Sequence, residues 1–156
     1  MGSTEMRPQS RACFSRSFCF KMREMKLLRD VAIRHLLTIE PHDSLRRTAK
    51  AMSDRGVGAA VVMEAGNIAG IVTERDILLA VAANRDVDSD TVDHVMTRDV
   101  VSGKPGWDIM QAVRTMIEHN FRHLLVTEMH EPVGIVSLRD LMDSMAELVQ
   151  DDIRAT

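Results

Sequence analysis

Apolar residues recur along the chain at helical spacing in two places. Leu45, Ala49 and Met52 stand four and seven apart, as do Ile109, Val113 and Met116, the spacing that gathers side chains on one helical face. Asp43 and Ser44 precede the first of these runs and Asp108 the second, so both have a helix start. Gly56 is expected to end the first helix in the left-handed conformation, and Asn120 the second. Short apolar runs between the helices predict strands at Leu36–Ile39, Ala59–Met63 and Ile68–Val72, and again at Val100–Ser102, His123–Val126 and Val133–Val136. Glu64-Ala65-Gly66-Asn67 and Met129-His130-Glu131-Pro132 read as the turns of two hairpins. Hydroxyl residues then open two last helices, Thr73 ahead of Glu74–Ala83 and Ser137 ahead of Leu138–Val149. Thr73 also has an acid three residues on, a short-chain form of the capping box.

The two series are one pattern repeated. A shift of 64 residues lays Gly70-Ile71-Val72 on Gly134-Ile135-Val136, Thr73 on Ser137, and Arg75 and Asp76 on Arg139 and Asp140. The same register pairs Val31 with Val95, Pro41 with Pro105, Met52 with Met116 and Val62 with Val126, without a gap from Leu28 to Leu78. A single offset over so many positions indicates duplication. The expected fold class is therefore α+β: two pseudo-symmetric β-α-β-β-α repeats, at 27–90 and 91–156. Each is too small to hold a stable core alone, so the two should pack together.

Composition narrows the function classes. Apolar residues make up 45% of the 156 and charged residues 28%, an ordinary globular balance. The longest apolar run, Ile77–Ala83, is far short of the roughly 20 residues that span a bilayer, so no transmembrane helix is expected. Residues 1–26 stand apart, with six Lys/Arg, two Glu, both cysteines and three of the four Phe. They read as a disordered or leader-like tail. Against a whole-chain charge of −3, their balance of +4 leaves −7 for the remainder, a poor surface for nucleic acid. The body lacks Cys, which excludes a disulfide framework there and suits a reducing, cytoplasmic setting.

The strongest chemical signal is Gly-Ile-Val-Thr-Glu-Arg-Asp at 70–76, repeated as Gly-Ile-Val-Ser-Leu-Arg-Asp at 134–140. A hydroxyl at a helix start and a carboxylate three residues later share one side of the first turn, beside free backbone N–H groups. Such a carboxylate can take two hydrogen bonds from the vicinal diol of a ribose. Helix capping alone would account for one copy. Two copies in one register favour a ligand.

These motifs, with the Leu-Thr-Ile-Glu-Pro and Val-Val-Ser-Gly-Lys-Pro openings and the Asn-Phe-Arg-His-Leu-Leu-Val run at 120–126, resemble a tandem pair of CBS domains from about Leu27 to Val149. The resemblance implies two repeats packed through their sheets, with two equivalent clefts that hold AMP, ADP, ATP or S-adenosylmethionine as regulatory ligands. It also implies a homodimer and a sensing role toward an unidentified effector protein, with no catalysis and no required cofactor. In one cleft Thr73 and Asp76, at the end of the strand holding Ile71, would grip the ribose. Val101 and Ser102 would flank the adenine there, and Arg122 and His123 match a basic pair that reaches phosphates. In the other, Ser137 and Asp140, after Ile135, would hold the ribose, with Leu37, Thr38, Gly58 and Ala59 around the base. Gly58 and Ala59 stand opposite Arg122 and His123 in the repeat, so the second cleft is expected to lack the basic pair. A phosphate there would need Arg75, Arg139 or Lys104.

Other chemistry finds little support. The six His have no metal-ligand spacing, and neither a phosphate loop nor a nucleophile motif is present. Leu138, Leu141, Met142, Met145 and Leu148 are expected to form an exposed apolar dimer face. The competing expectation is a structural dimerisation module with empty clefts that docks nucleic acid through its basic tail.

Overall fold

A computed structural model describes residues 26–154 of the chain. The tail assigned to 1–26 lies, apart from Lys26, outside the described residues. The elements are α1 (Leu28–Val31), β1 (Thr38–Ile39), α2 (Leu45–Arg55), β2 (Ala59–Glu64), β3 (Asn67–Thr73) and α3 (Glu74–Ala82), then a 3₁₀ turn (Val92–His94). The second half follows with β4 (Ser102–Gly103), α4 (Ile109–Glu118), β5 (His123–Glu128), β6 (Glu131–Ser137) and α5 (Leu138–Arg154). They form two three-stranded sheets, β1-β2-β3 and β4-β5-β6, each with one parallel and one antiparallel pairing.

Local signals act where the pattern placed them. Ser44 accepts a hydrogen bond from the Arg47 N–H and Asp108 from the Gln111 N–H, closing the starts of α2 and α4. Gly56 at φ 62° and Asn120 at φ 56° end the same helices in the left-handed region. The first hairpin turns through Ala65 and Gly66, both at positive φ, the backbone of a tight two-residue turn. The second turns through Met129 and His130 alone, because Glu131 and Pro132 already pair with Glu128 and Thr127. Pro132 is tolerated since β6 is an edge strand and the register slips beside it. β1 and β4 are shorter than expected, because only two residues of each pair with β2 and β5.

Each sheet packs its helices on one face. Leu45, Met52, Ala60, Val62 and Val72 form one core; Ile109, Met116, Leu124, Val126, Val136 and Leu141 form the other. Strand alternation turns Val61 and Leu125 to the opposite face, where both are fully buried and β3 meets β6. The two sheets therefore bury each other, and each such side chain contributes roughly 1.5–3 kcal/mol.

The start of each repeat crosses to the other. Leu28 is fully buried in the second core, and its N–H donates to the Trp107 carbonyl at 2.9 Å. Val92, 64 residues on, is fully buried in the first core, and its N–H donates to the Asp43 carbonyl at 3.0 Å. Ile33 bridges to Ile135 and Thr97 to Ile71, so each crossing segment also seals the edge of the opposite sheet.

Two hydroxyls in these cores have no partner among the described residues, those of Thr48 and Ser144. Their counterparts across the repeat are Ala112 and Ala80. Thr48 is fully buried, so Thr48→Val keeps the shape and removes an unpaired dipole. This variant is expected to gain about 1 kcal/mol in urea denaturation. A loss would mean that the hydroxyl is hydrogen-bonded in solution.

Candidate functional site

The two helices that follow the hairpins begin alike. At the start of α3, the Asp76 Oδ2 accepts from the Thr73 N–H at 2.7 Å and from the Thr73 hydroxyl at 2.6 Å. At the start of α5, the Asp140 Oδ2 accepts from the Ser137 N–H at 2.7 Å and from its hydroxyl at 2.6 Å. Each carboxylate thus spends one oxygen on its own helix and is fixed in direction by it. The other oxygen, Oδ1, takes no hydrogen bond among the described residues. A half-buried carboxylate with one held and one free oxygen can accept from a hydroxylated ligand.

Each of these carboxylates lines a cleft completed by the opposite repeat. The first, about 320 Å³, is lined by Ile71, Thr73 and Asp76 from one repeat and by Val101, Arg122 and His123 from the other. The second, about 940 Å³, is lined by Ile135, Ser137 and Asp140 with Leu37, Gly58 and Ala59. Both volumes suit a small organic ligand. Arg75 lines the first cleft and Arg139 the second, one arginine each at equivalent helix starts.

Four sequence-based expectations need correction. Ser102 and Thr38 do not line the clefts: they sit inside the parallel pairings of β4 and β1, and the Ser102 hydroxyl is 2.9 Å from that of Thr127. Lys104 lines neither cleft. The second cleft is not bare, because Arg122 and His123 line it as well as the first. Nor is the expected dimer face all exposed. Leu141 is fully buried in the second core, and Leu138 and Met145 pack against it, since α5 turns this side to its own sheet. The side chain of Leu148 lies outside the described residues.

Arg122 donates from Nη2 to the Glu74 Oε1 at 3.1 Å. The His123 ring lies against Gly58, where a Cβ would meet its Nε2 at 2.8 Å, so only glycine leaves the ring its place. Burial holds the His123 imidazole below its ordinary range, a shift that Arg122 reinforces and that Glu74 and Asp140 oppose. The ring is therefore neutral at neutral pH, and Arg122 is the fixed cation of this wall.

Several lining residues escaped the sequence reading. His119 and Phe121 stack with centroids 5.9 Å apart and line the first cleft beside Asn120. The stop at Asn120 was their signal, because residues between a helix stop and the next strand open onto the cleft. Thr97 and Asp99 line it through the crossing segment. Glu74 lines the second cleft, and its counterpart across the repeat is Leu138. Among the described residues, no three His, Cys, Asp or Glu come together as a metal site.

Comparison with known proteins fits this geometry. The CBS domain family model matches residues 28–83 and 92–147. The chain is 32% identical over 117 residues to the CBS domain-containing protein YhcV of Bacillus subtilis, covering 75% of this chain and 84% of that protein. A solved CBS-domain protein from Burkholderia ambifaria superposes with a TM-score of 0.70 at 33% identity, covering 72% and 83% of the two chains. A CBS domain protein from Pyrobaculum aerophilum, solved in complex with AMP, superposes with a TM-score of 0.70 at 25% identity, covering 80% and 98%. With both repeats matched by the family model, the chain belongs to the CBS domain family.

Proposed function

We propose that this chain is a regulatory module that binds an adenosine-containing ligand between its repeats, AMP, ADP, ATP or S-adenosylmethionine, and signals its level to a partner protein without catalysing a reaction. The observation that carries this reading is the pair of carboxylates Asp76 and Asp140. Each is held by its own helix start through one oxygen, has no hydrogen bond on the other among the described residues, and lines a cleft. Thr73 and Asp76 would take the ribose hydroxyls in one cleft, and Ser137 and Asp140 in the other. The AMP complex of the similar Pyrobaculum protein supports the ligand class. Thermal unfolding with each of these adenosine ligands tests it. A ligand at 100 times its dissociation constant adds about 2.7 kcal/mol, which is expected to raise Tm by roughly 5–10 °C.

The module is further proposed to act as a homodimer. Leu78 and Leu79 on α3 and Met142 on α5 are at least 60% exposed, an apolar surface that a second copy would cover. The same surface favours the second reading, a dimerisation module with empty clefts. That reading expects a dimer in light scattering and no thermal shift with any of the ligands.

A further inference from the structure

The two clefts are not independent, because they share a wall. Arg122 and His123 line both. Across the repeat their counterparts are Gly58 and Ala59, so no second basic pair exists to serve the other side. Arg122 is already engaged, since its Nη2 donates to the Glu74 carboxylate at 3.1 Å. Glu74 in turn lines the Asp140 cleft and not the Asp76 cleft. The counterpart of Glu74 is Leu138, which carries no charge, so this arrangement is one-sided within an otherwise symmetric pair.

Building on the adenosine-ligand reading above, we propose that the clefts compete for this single cationic wall, so that the pair admits one phosphate-bearing ligand at a time and its second occupant is an adenosine ligand without phosphate. A phosphate in the Asp76 cleft can use Arg75 and draw Arg122 away from Glu74. The freed Glu74 carboxylate then faces the Asp140 cleft together with Asp140 and Asp143, against Arg139 as the one remaining arginine, with His35 also on the wall. That balance of three acids to one arginine repels a second phosphate and leaves a neutral or cationic ligand unopposed. A neutral His123 ring cannot replace the lost cation. Glu74 is thus the residue that sets which ligand charge the Asp140 cleft accepts.

Titration of the full chain with ADP and with adenosine, read by calorimetry and by native mass spectrometry, tests the proposal. Adenosine is expected to bind twice per chain with affinities within a few-fold. ADP is expected to bind once, with any second site at least tenfold weaker, and adenosine should still add to the ADP-saturated chain. Glu74→Gln removes the charge at an exposed position and is expected to strengthen the second ADP site at least fivefold, a larger change than it makes in adenosine affinity. Two ADP per chain with affinities within threefold of each other would overturn the shared wall while leaving the ligand reading standing. So would a Glu74→Gln variant whose ADP binding matches the wild type. If neither ADP nor adenosine binds, both the shared wall and the ligand reading fall.

Discussion

Asp76→Ala is expected to weaken AMP binding by roughly 10- to 100-fold, and Asp140→Ala by clearly less. A hydrogen bond to a charged group contributes about 1.5–3 kcal/mol, and each 1.4 kcal/mol is a factor of ten in affinity. The two carboxylates are held alike, each with its Oδ2 tied to a helix start, so the ribose contact alone would predict equal losses. The surroundings break the tie. Around the Asp76 cleft, Arg75 and Arg122 face Asp76 and Asp99. Around the Asp140 cleft, Arg139 and Arg122 face Asp140, Asp143 and Glu74, one more acid for the same cations. A phosphate therefore prefers the Asp76 side. Both substitutions also remove an acceptor from a helix start, which costs about 1 kcal/mol of stability in each case. Because that cost is common to the two variants, it cancels from the comparison. Calorimetry with AMP on both variants, alongside their thermal unfolding, reads the difference. Equal losses, or a larger loss for Asp140→Ala, would show that the charge balance of the clefts does not choose the ligand's place.

The parts of this molecule legible in the sequence are those fixed by local chemistry. The stops at Gly56 and Asn120 and the starts at Ser44, Asp108, Thr73 and Ser137 act over one helical turn, and all six stand where the pattern put them. The 64-residue offset also carried the duplication, because every repeated contact leaves its mark in both halves. What escaped was how the two repeats pack on each other. Leu28 and Val92 looked like members of their own repeats, yet each is buried in the other. Leu141 looked like a dimer residue because helical spacing shows a face without showing what covers it. Arg122 looked like the property of one cleft, since its reach to Glu74, 48 residues back in the chain, depends on how the two sheets stack. Sequence periodicity records which face is apolar; only tertiary packing decides what that face meets.

The glycine that opens each motif illustrates this dependence and leads to the largest expected loss of stability. Gly70→Ala is expected to cost about 3 kcal/mol, a large share of the 5–15 kcal/mol that holds a typical domain folded. Neither Gly70 nor Gly134 has a left-handed backbone, so their reason is space. A Cβ on Gly70 would stand 2.7 Å from the Thr97 carbonyl oxygen and 2.9 Å from the Met96 sulfur. The Met96 side chain can move, but the Thr97 carbonyl cannot move freely. It accepts from the Ile71 N–H at 3.0 Å while the Thr97 N–H donates to the Ile71 carbonyl at 2.9 Å. Making room breaks this bridge and lifts the crossing segment, with Val92 and Met96, off the first core. Overpacking costs about 1–3 kcal/mol and each lost hydrogen bond about 1, partly offset by roughly 0.4–1 kcal/mol from the stiffer unfolded chain. Gly134→Ala is milder, because its Cβ would meet the Ala32 methyl at 2.9 Å and the nearest carbonyl, that of Ile33, only at 3.4 Å. A loss of about 1–2 kcal/mol is expected there. Urea denaturation of the two variants measures both values. The same substitution should also reach the ligand, since Thr97 lines the Asp76 cleft, so Gly70→Ala weakens AMP binding under conditions where the protein remains folded. A Gly70→Ala protein as stable as the wild type, or no less stable than Gly134→Ala, would mean that the Thr97 segment does not seal this sheet edge in solution.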